Sequence, residues 1–127
     1  MTTPTATSRG GIARFEVVVV PFPFTDRAAA KRRPALVLSG ADTFNRASGH
    51  SVMAMITSST GAAWPLDVVL SDLAAAGLPS PSIVRMKLFT LDHRFVLRRA
   101  GRLSSRDQSA VEASLSALFA PRGGPRD

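Results

Sequence analysis

Apolar and β-branched residues fall in short runs along this chain, separated by Pro, Gly, Ser and Asp, and that rhythm predicts strands more than helices. The first strand is expected over Ile12 to Val20, centred on the run Val17 to Val20, and the second over Ala35 to Ser39. Pro21 and Pro23 should end the first ladder, because neither carries an N–H donor. Between the strands lies a loop that brings Lys31, Arg32 and Arg33 to the entry of the second strand at Pro34. Asp42 to Asn45 reads as a turn, with Phe44 as its core anchor. A third strand is expected from Ser51 to Thr57, running into the hydroxyl cluster Thr57, Ser58, Ser59 and Thr60, and a fourth from Asp67 to Leu70. Ser71 and Asp72 suit the cap and first turn of a short helix through Ala76, with Gly77 ending it in the left-handed conformation. Ser82 to Lys87 and Phe95 to Arg99 complete the strands, with a break at Leu91 and Asp92.

Only the last segment has a clear helical period. Ser105 and Gln108 have capping-box spacing, and Val111, Leu115, Leu118 and Phe119 form one apolar stripe. The pattern as a whole predicts a mainly β fold with a C-terminal helix, as a small, strongly bent barrel or half-barrel. The polar, Pro/Gly-rich ends, residues 1–10 and 121–127, should be loosely ordered. That leaves a single domain over residues 11–120.

Composition narrows the function. The chain has 127 residues, enough for one core and too few for two. Its net charge of +7 points to polyanionic partners. The cations are nearly all arginine, Lys31 and Lys87 being the lysines, and arginine suits bidentate contact with phosphate. The absence of cysteine removes disulfides, thiolate catalysis and Cys-based zinc sites. The N-terminus lacks the apolar core of a signal peptide, and no apolar run approaches the roughly 20 residues of a membrane span. A cytoplasmic location away from membranes is therefore expected.

His50 and His93 are far apart and lack ligand partners at metal-binding spacing, and the carboxylates are scattered singly. The reading is of surface histidines, no metal site and no cofactor. Cleavage of RNA needs neither, since the ribose 2′-OH supplies the nucleophile. The protein has only to bind the strand, stabilise charge growing on the phosphoryl oxygens and help move protons. Arg33 opening one strand and Thr57 closing another are the candidates for one mouth of a barrel. Arg85, between Val84 and Met86, either pairs with a carboxylate or contacts the nucleic acid. Arg94, Arg98, Arg99, Arg102 and Arg106 either keep one side wet or track a phosphate backbone.

The sequence GGIARFEVVVVPFPFTD followed by KRRPALVLS resembles the opening of the MazF/PemK family of toxins. The likeness continues through Phe44-Asn45, MITSS at the end of the third strand, AGLPSPSIVR at Ala76 to Arg85, LFTLD at Leu88 to Asp92 and AGRLS at Ala100 to Ser104. The resemblance implies an SH3-like barrel of the CcdB/PemK type that works as a homodimer. It implies a sequence-specific, metal-independent endoribonuclease for single-stranded RNA, leaving 2′,3′-cyclic phosphate and 5′-OH ends and blocked by a cognate antitoxin. The family's catalytic arginine maps onto Arg33 and its strand-end threonine onto Thr57. Thr25, Asp26, Lys31, Arg32, Pro34, Ser58, Ser59, Arg85 and Lys87 are the expected RNA contacts. Three departures stand out. The fifth-strand Arg-x-Asp of some relatives reads Arg85, Met86, Lys87; the first loop has no histidine; and the usual Gly-Asp before the first strand reads Phe15-Glu16. That leaves Asp26 as a candidate base. Two other readings of the same resemblance are a CcdB-like gyrase poison and an inactive RNA-binding relative.

Overall fold

The structure, a computed structural model, describes residues 11–22 and 31–120. Six antiparallel strands, β1 (Glu16–Phe22), β2 (Lys31–Val37), β3 (His50–Ser58), β4 (Val68–Val69), β5 (Ser82–Asp92) and β6 (Arg98–Arg102), form one curled sheet in the order β4-β5-β3-β2-β1-β6. A helical turn, Ala41–Asn45 leading into α1 (Arg46–Ser48), joins β2 to β3. The short helix α2 (Leu73–Ala76) joins β4 to β5, and α3 (Ser105–Phe119) closes the chain.

Both faces of the sheet are covered, which is why the first strand is a continuous valine run and not an alternation. One face carries Val17, Leu36, Ala54, Ile56 and Val84 against Val111 of α3 and Leu70. The other carries Val18, Val20, Ala35, Val37, Met53 and Leu91, covered by Phe89, Phe95 and Val96. Full burial of each valine, leucine, isoleucine or methionine among them contributes about 1.5–3 kcal/mol. Bulges bend the sheet, one on β1 between Val17 and Val18 and one on β5 after Arg85. The curl is closed by α2 against β6 at two glycines. A Cβ on Gly77 would lie 1.9 Å from the Ala100 carbonyl oxygen, and one on Gly101 would lie 2.4 Å from that of Ala75.

Several element boundaries differ from the sequence expectation. β1 continues through Pro21, which pairs with Arg32. It can do so because β6 pairs with β1 only as far as Val19, leaving β1 an edge at that point. β2 begins at Lys31, so the basic triplet belongs to a strand and not to a loop. β3 pairs with β2 only over Ala35 to Val37, so from Lys31 to Pro34 the strand is held by β1 alone. β5 runs unbroken to Asp92, and Phe95 lies in a 3-10 turn, His93–Phe95, capped by Asp92, instead of opening β6.

Phe44 is 38% exposed and is not a core anchor; the neighbouring Asn45 is fully buried. The Asn45 amide donates to the carbonyls of Ile12 and Ser39, both at 2.9 Å, and its oxygen accepts from the Ser39 hydroxyl. A buried amide that satisfies two chain segments fixes the turn better than an apolar ring. The cap of α3 is Ser104, whose hydroxyl accepts from the Asp107 N–H, and not Ser105. Of the apolar stripe, Val111 is buried, while Leu118 and Phe119 are exposed. Phe15 adopts φ 72, a backbone conformation that favours glycine. Its buried ring and a 2.7 Å hydrogen bond from its N–H to the Val37 carbonyl hold that left-handed backbone in place.

Candidate functional site

The β-sheet register assembles the site. The last pair between β2 and β3 is Ala35 with Met55, and continuing that register sets Arg33 opposite Thr57. On the far side of β3, Met55 faces Arg85, whereas Ala54 faces Leu88, so Met86 and Lys87 are extra residues on β5. Two inserted residues preserve the period-two alternation. Lys87 therefore shares a face with Arg85, while Met86 packs into the core on the helix side.

Phe22, Arg33, Met55, Thr57, Arg85 and Lys87 accordingly extend one face of the sheet past its apolar core. With Ile56 and Trp64 they line a pocket of about 170 Å³. Arg33, Thr57, Arg85 and Lys87, drawn from three strands, thus come together; of these, Arg33 and Thr57 are the two expected to share one mouth. A larger cleft of about 740 Å³ lies at the other end of the molecule, between Ile12, Gly49 and the segment from Asp92 to Arg99, and it contains none of these four side chains. The smaller pocket is the candidate because the charge and the hydroxyl converge there.

Within the pocket the cations are not equivalent. Arg33 is half-buried, and its Nε is shielded from solvent with no hydrogen-bond partner among the described residues. A guanidinium left with an unused buried donor is prepared for an incoming anion. Arg85, by contrast, is held by Asp67. Its Nε donates to one carboxylate oxygen at 3.1 Å and its Nη2 to the other at 2.9 Å, and Nη2 also donates to the Ala62 carbonyl. The two side chains are 15% and 9% exposed. The Arg85 hydrogen bonds hold the Asp67 carboxyl below its ordinary range, and the same bonds raise the Arg85 pKa. The carboxylate pair, one of its two expected roles, is present. Lys87 lies over the Phe22 ring, 5.7 Å from its centroid.

Ser58 and Ser59 continue beyond Thr57 as exposed residues, with the Ser58 hydroxyl 3.0 Å from that of Thr60. Lys31 and Arg32 are exposed on β2, and Pro34 is half-buried next to Arg33. None of these five lines the pocket. Thr25 and Asp26 lie outside the described residues.

Two residues that shape the pocket, Trp64 and Asp67, are not among the expected site residues. The hydrophobic pattern marks Asp67 only as the start of the fourth strand, and Trp64 stands ahead of that strand. The signal that could have found them is the tetrapeptide Trp64-Pro65-Leu66-Asp67. It forms a turn in which Leu66 adopts φ 68, the Asp67 N–H donates to the Trp64 carbonyl and the Trp64 N–H donates to the Asp67 carboxylate. Proline followed by a positive φ is the pattern of a type II turn. Here the turn aims a carboxylate and an indole at Arg85. His93 also differs from expectation. Its Nε2 is 2.7 Å from the hydroxyl of the fully buried Ser51, and burial lowers its pKa, so it serves the fold and not the surface. No helix among the described residues is long and apolar enough to cross a membrane.

Over residues 13–119 the chain matches the family described as PemK-like, MazF-like toxins of type II toxin–antitoxin systems. A MazE–MazF complex from Deinococcus radiodurans contains a similar structure, 25% identical, with 84% of this chain and 94% of that one covered at a TM-score of 0.67. The fold is shared with an endoribonuclease in complex with its cognate antitoxin from a mycobacterial species, 17% identical, with 87% and 98% covered at a TM-score of 0.68. It is shared as well with the Mycobacterium tuberculosis toxin MazF-mt6, 21% identical, with 82% and 95% covered at a TM-score of 0.64. No curated protein matches the chain.

Proposed function

The chain belongs to the PemK-like, MazF-like family of toxins of type II toxin–antitoxin systems, and from that premise we propose that it cuts single-stranded RNA without a metal ion. The observation that carries the reading is Arg33, whose buried Nε has no hydrogen-bond partner among the described residues, in one pocket with Thr57. The ribose 2′-oxygen attacks the adjacent phosphorus and the bond to the 5′-oxygen breaks. The 2′-OH loses its proton and the departing oxygen gains one, leaving a 2′,3′-cyclic phosphate and a 5′-OH. Arg33 donates to the non-bridging oxygens as negative charge builds on them, and its guanidinium stays ionised throughout. The Thr57 hydroxyl orients the phosphate or the 2′-OH. Lys87 within the pocket, and Lys31 and Arg32 on β2, hold the strand by its phosphates. Asp67 has both oxygens committed to Arg85, so its role is to fix that side chain rather than to accept a proton.

A cognate antitoxin and a second copy of the chain are the protein partners this reading carries. The complexes formed by the D. radiodurans and mycobacterial neighbours support the first. The test is incubation of the purified protein with a mixed RNA pool in EDTA, followed by sequencing of the new 5′ ends. Cuts at a recurring short motif with 5′-OH termini are expected. RNA left intact by folded protein would overturn the reading. Binding without cutting would favour an inactive RNA-binding relative, and inhibited DNA supercoiling with intact RNA a gyrase poison.

A further inference from the structure

The pocket that holds Arg33 and Thr57 is also lined by two pairs of aromatic ring and cation, Trp64 with Arg85 and Phe22 with Lys87. We infer that Trp64 is a stacking platform for an unpaired base next to the phosphate that is cut, held in place by the Arg85–Asp67 pair. The inference rests on the proposed RNA cleavage and adds a residue that holds the base beside the cut.

Three observations argue for it. First, Trp64 is 44% exposed although it sits at the rim of a pocket. Arg85 lies over the indole, its guanidinium carbon 5.0 Å from the ring centroid, and close to half of the residue is still open to solvent beside it. An aromatic ring left open in a basic pocket has little to do for the core, whereas nucleobases stack on such rings whatever their hydrogen-bonding edges. Second, the ring is pre-positioned. The turn from Trp64 to Asp67 is closed by two hydrogen bonds, Trp64 N–H to the carboxylate at 2.8 Å and Asp67 N–H to the Trp64 carbonyl at 3.3 Å. The same carboxylate grips Arg85 at both oxygens, so backbone, indole and guanidinium form one unit. Little freedom is lost when a base settles on it. Third, the pocket's 170 Å³ falls below the roughly 300–1,000 Å³ that enclose a free drug-sized ligand. It suits one unit of a longer chain, with the phosphate at Arg33 and the neighbouring base at Trp64.

The chain offers a direct readout, since Trp64 is its one tryptophan and it has no tyrosine. Short mixed-sequence RNA with 2′-O-methyl riboses, which cannot be cut, is titrated into the full-length protein while indole emission is followed. Polyphosphate serves as the same charge without bases, and poly-glutamate as an acidic protein-like chain. Saturable quenching by the RNA alone is expected. Trp64→Leu should weaken RNA binding by about 5- to 100-fold, and Trp64→Phe should recover most of it. Equal RNA affinity in Trp64→Leu, or equal quenching by polyphosphate, would overturn the inference. Quenching by poly-glutamate alone would also overturn it and assign the ring to an acidic protein partner. Because the probe cannot be cut, quenching without cleavage of ordinary RNA refutes only the nuclease reading, and cleavage without quenching refutes only the stacking.

Discussion

Replacing Asp107 with alanine should detach the start of α3 from the start of α2 and lower the stability of the whole domain. Asp107 is 2% exposed. Its carboxylate accepts from the Ser71 N–H at 3.0 and 3.1 Å, the Ser71 hydroxyl at 2.8 Å and the Asp72 N–H at 3.1 Å. Burial alone would push its pKa up; the hydrogen bonds from Ser71, Asp72 and Ser104 outweigh that and hold it below the ordinary value. Hydrogen bonds to a charged acceptor contribute about 1.5–3 kcal/mol each. Ser71 and Asp72 are themselves exposed, so water replaces part of what is lost, and the cost of Asp107→Ala should be about 3 kcal/mol instead of the full sum. For a chain of this length that lowers Tm by roughly 9–15 °C. Thermal unfolding followed by circular dichroism gives the value. The pH dependence supplies a second check. A carboxylate whose pKa is depressed by folding stabilises fully above its unfolded value, about 3.9, and loses the contribution as pH falls through the folded value. The gap between wild type and Asp107→Ala should thus be constant near neutrality and shrink as the pH drops below about 4. A Tm within about 2 °C of wild type at neutral pH, or a gap that persists undiminished in strong acid, would refute the reasoning.

Two glycines with the same backbone conformation should respond differently to alanine. Gly77 and Gly49 both have φ 71, but a Cβ on Gly77 meets the Ala100 carbonyl while one on Gly49 meets nothing within 4 Å. Gly49→Ala should cost only the left-handed backbone, about 1–2 kcal/mol, and Gly77→Ala several kcal/mol more because α2 must leave β6; urea unfolding compares them. Thr57→Val, which keeps shape and removes the hydroxyl, should slow RNA cleavage at least about ten-fold, with Thr57→Ser restoring most of the rate in single-turnover assays. Lys87→Ala should weaken binding to all single-stranded RNA sequences alike and reduce the slope of log K against log salt by about 0.7.

How much was legible in the sequence follows from the range of the interactions involved. The valine run, the Gly77 stop and the Val111 side of the last helix are local patterns, and each reappears in the structure. Arg33, Thr57 and Lys87 are visible as residue types at strand ends and Arg85 as a cation within a strand, but their convergence depends on register and on the bulge that adds Met86 and Lys87 to β5. Phe44 and Asn45 exchanged roles because hydrophobicity says nothing about which carbonyls need a partner. Asp67 and Trp64 were missed for a related reason. Asp67 is 18 residues from Arg85, and only the positive φ of Leu66 turns both side chains toward the pocket. The proline at Pro21 misled because a proline ends a ladder only where both strand edges are in use.

The central claim is that Arg33 supplies the charge stabilisation for RNA cleavage in the pocket it shares with Thr57. The most direct measurement compares single-turnover cleavage by wild type and Arg33→Ala on an RNA containing the cut motif, in EDTA, with folding of both proteins verified by circular dichroism. A second RNA carries a 2′-deoxyribose at the cut. The account predicts a loss of about 100-fold or more for Arg33→Ala, and no cleavage of the 2′-deoxy substrate by either protein. Cleavage of ordinary RNA by folded Arg33→Ala at the wild-type rate, or cutting of the 2′-deoxy substrate at the same position, would contradict it.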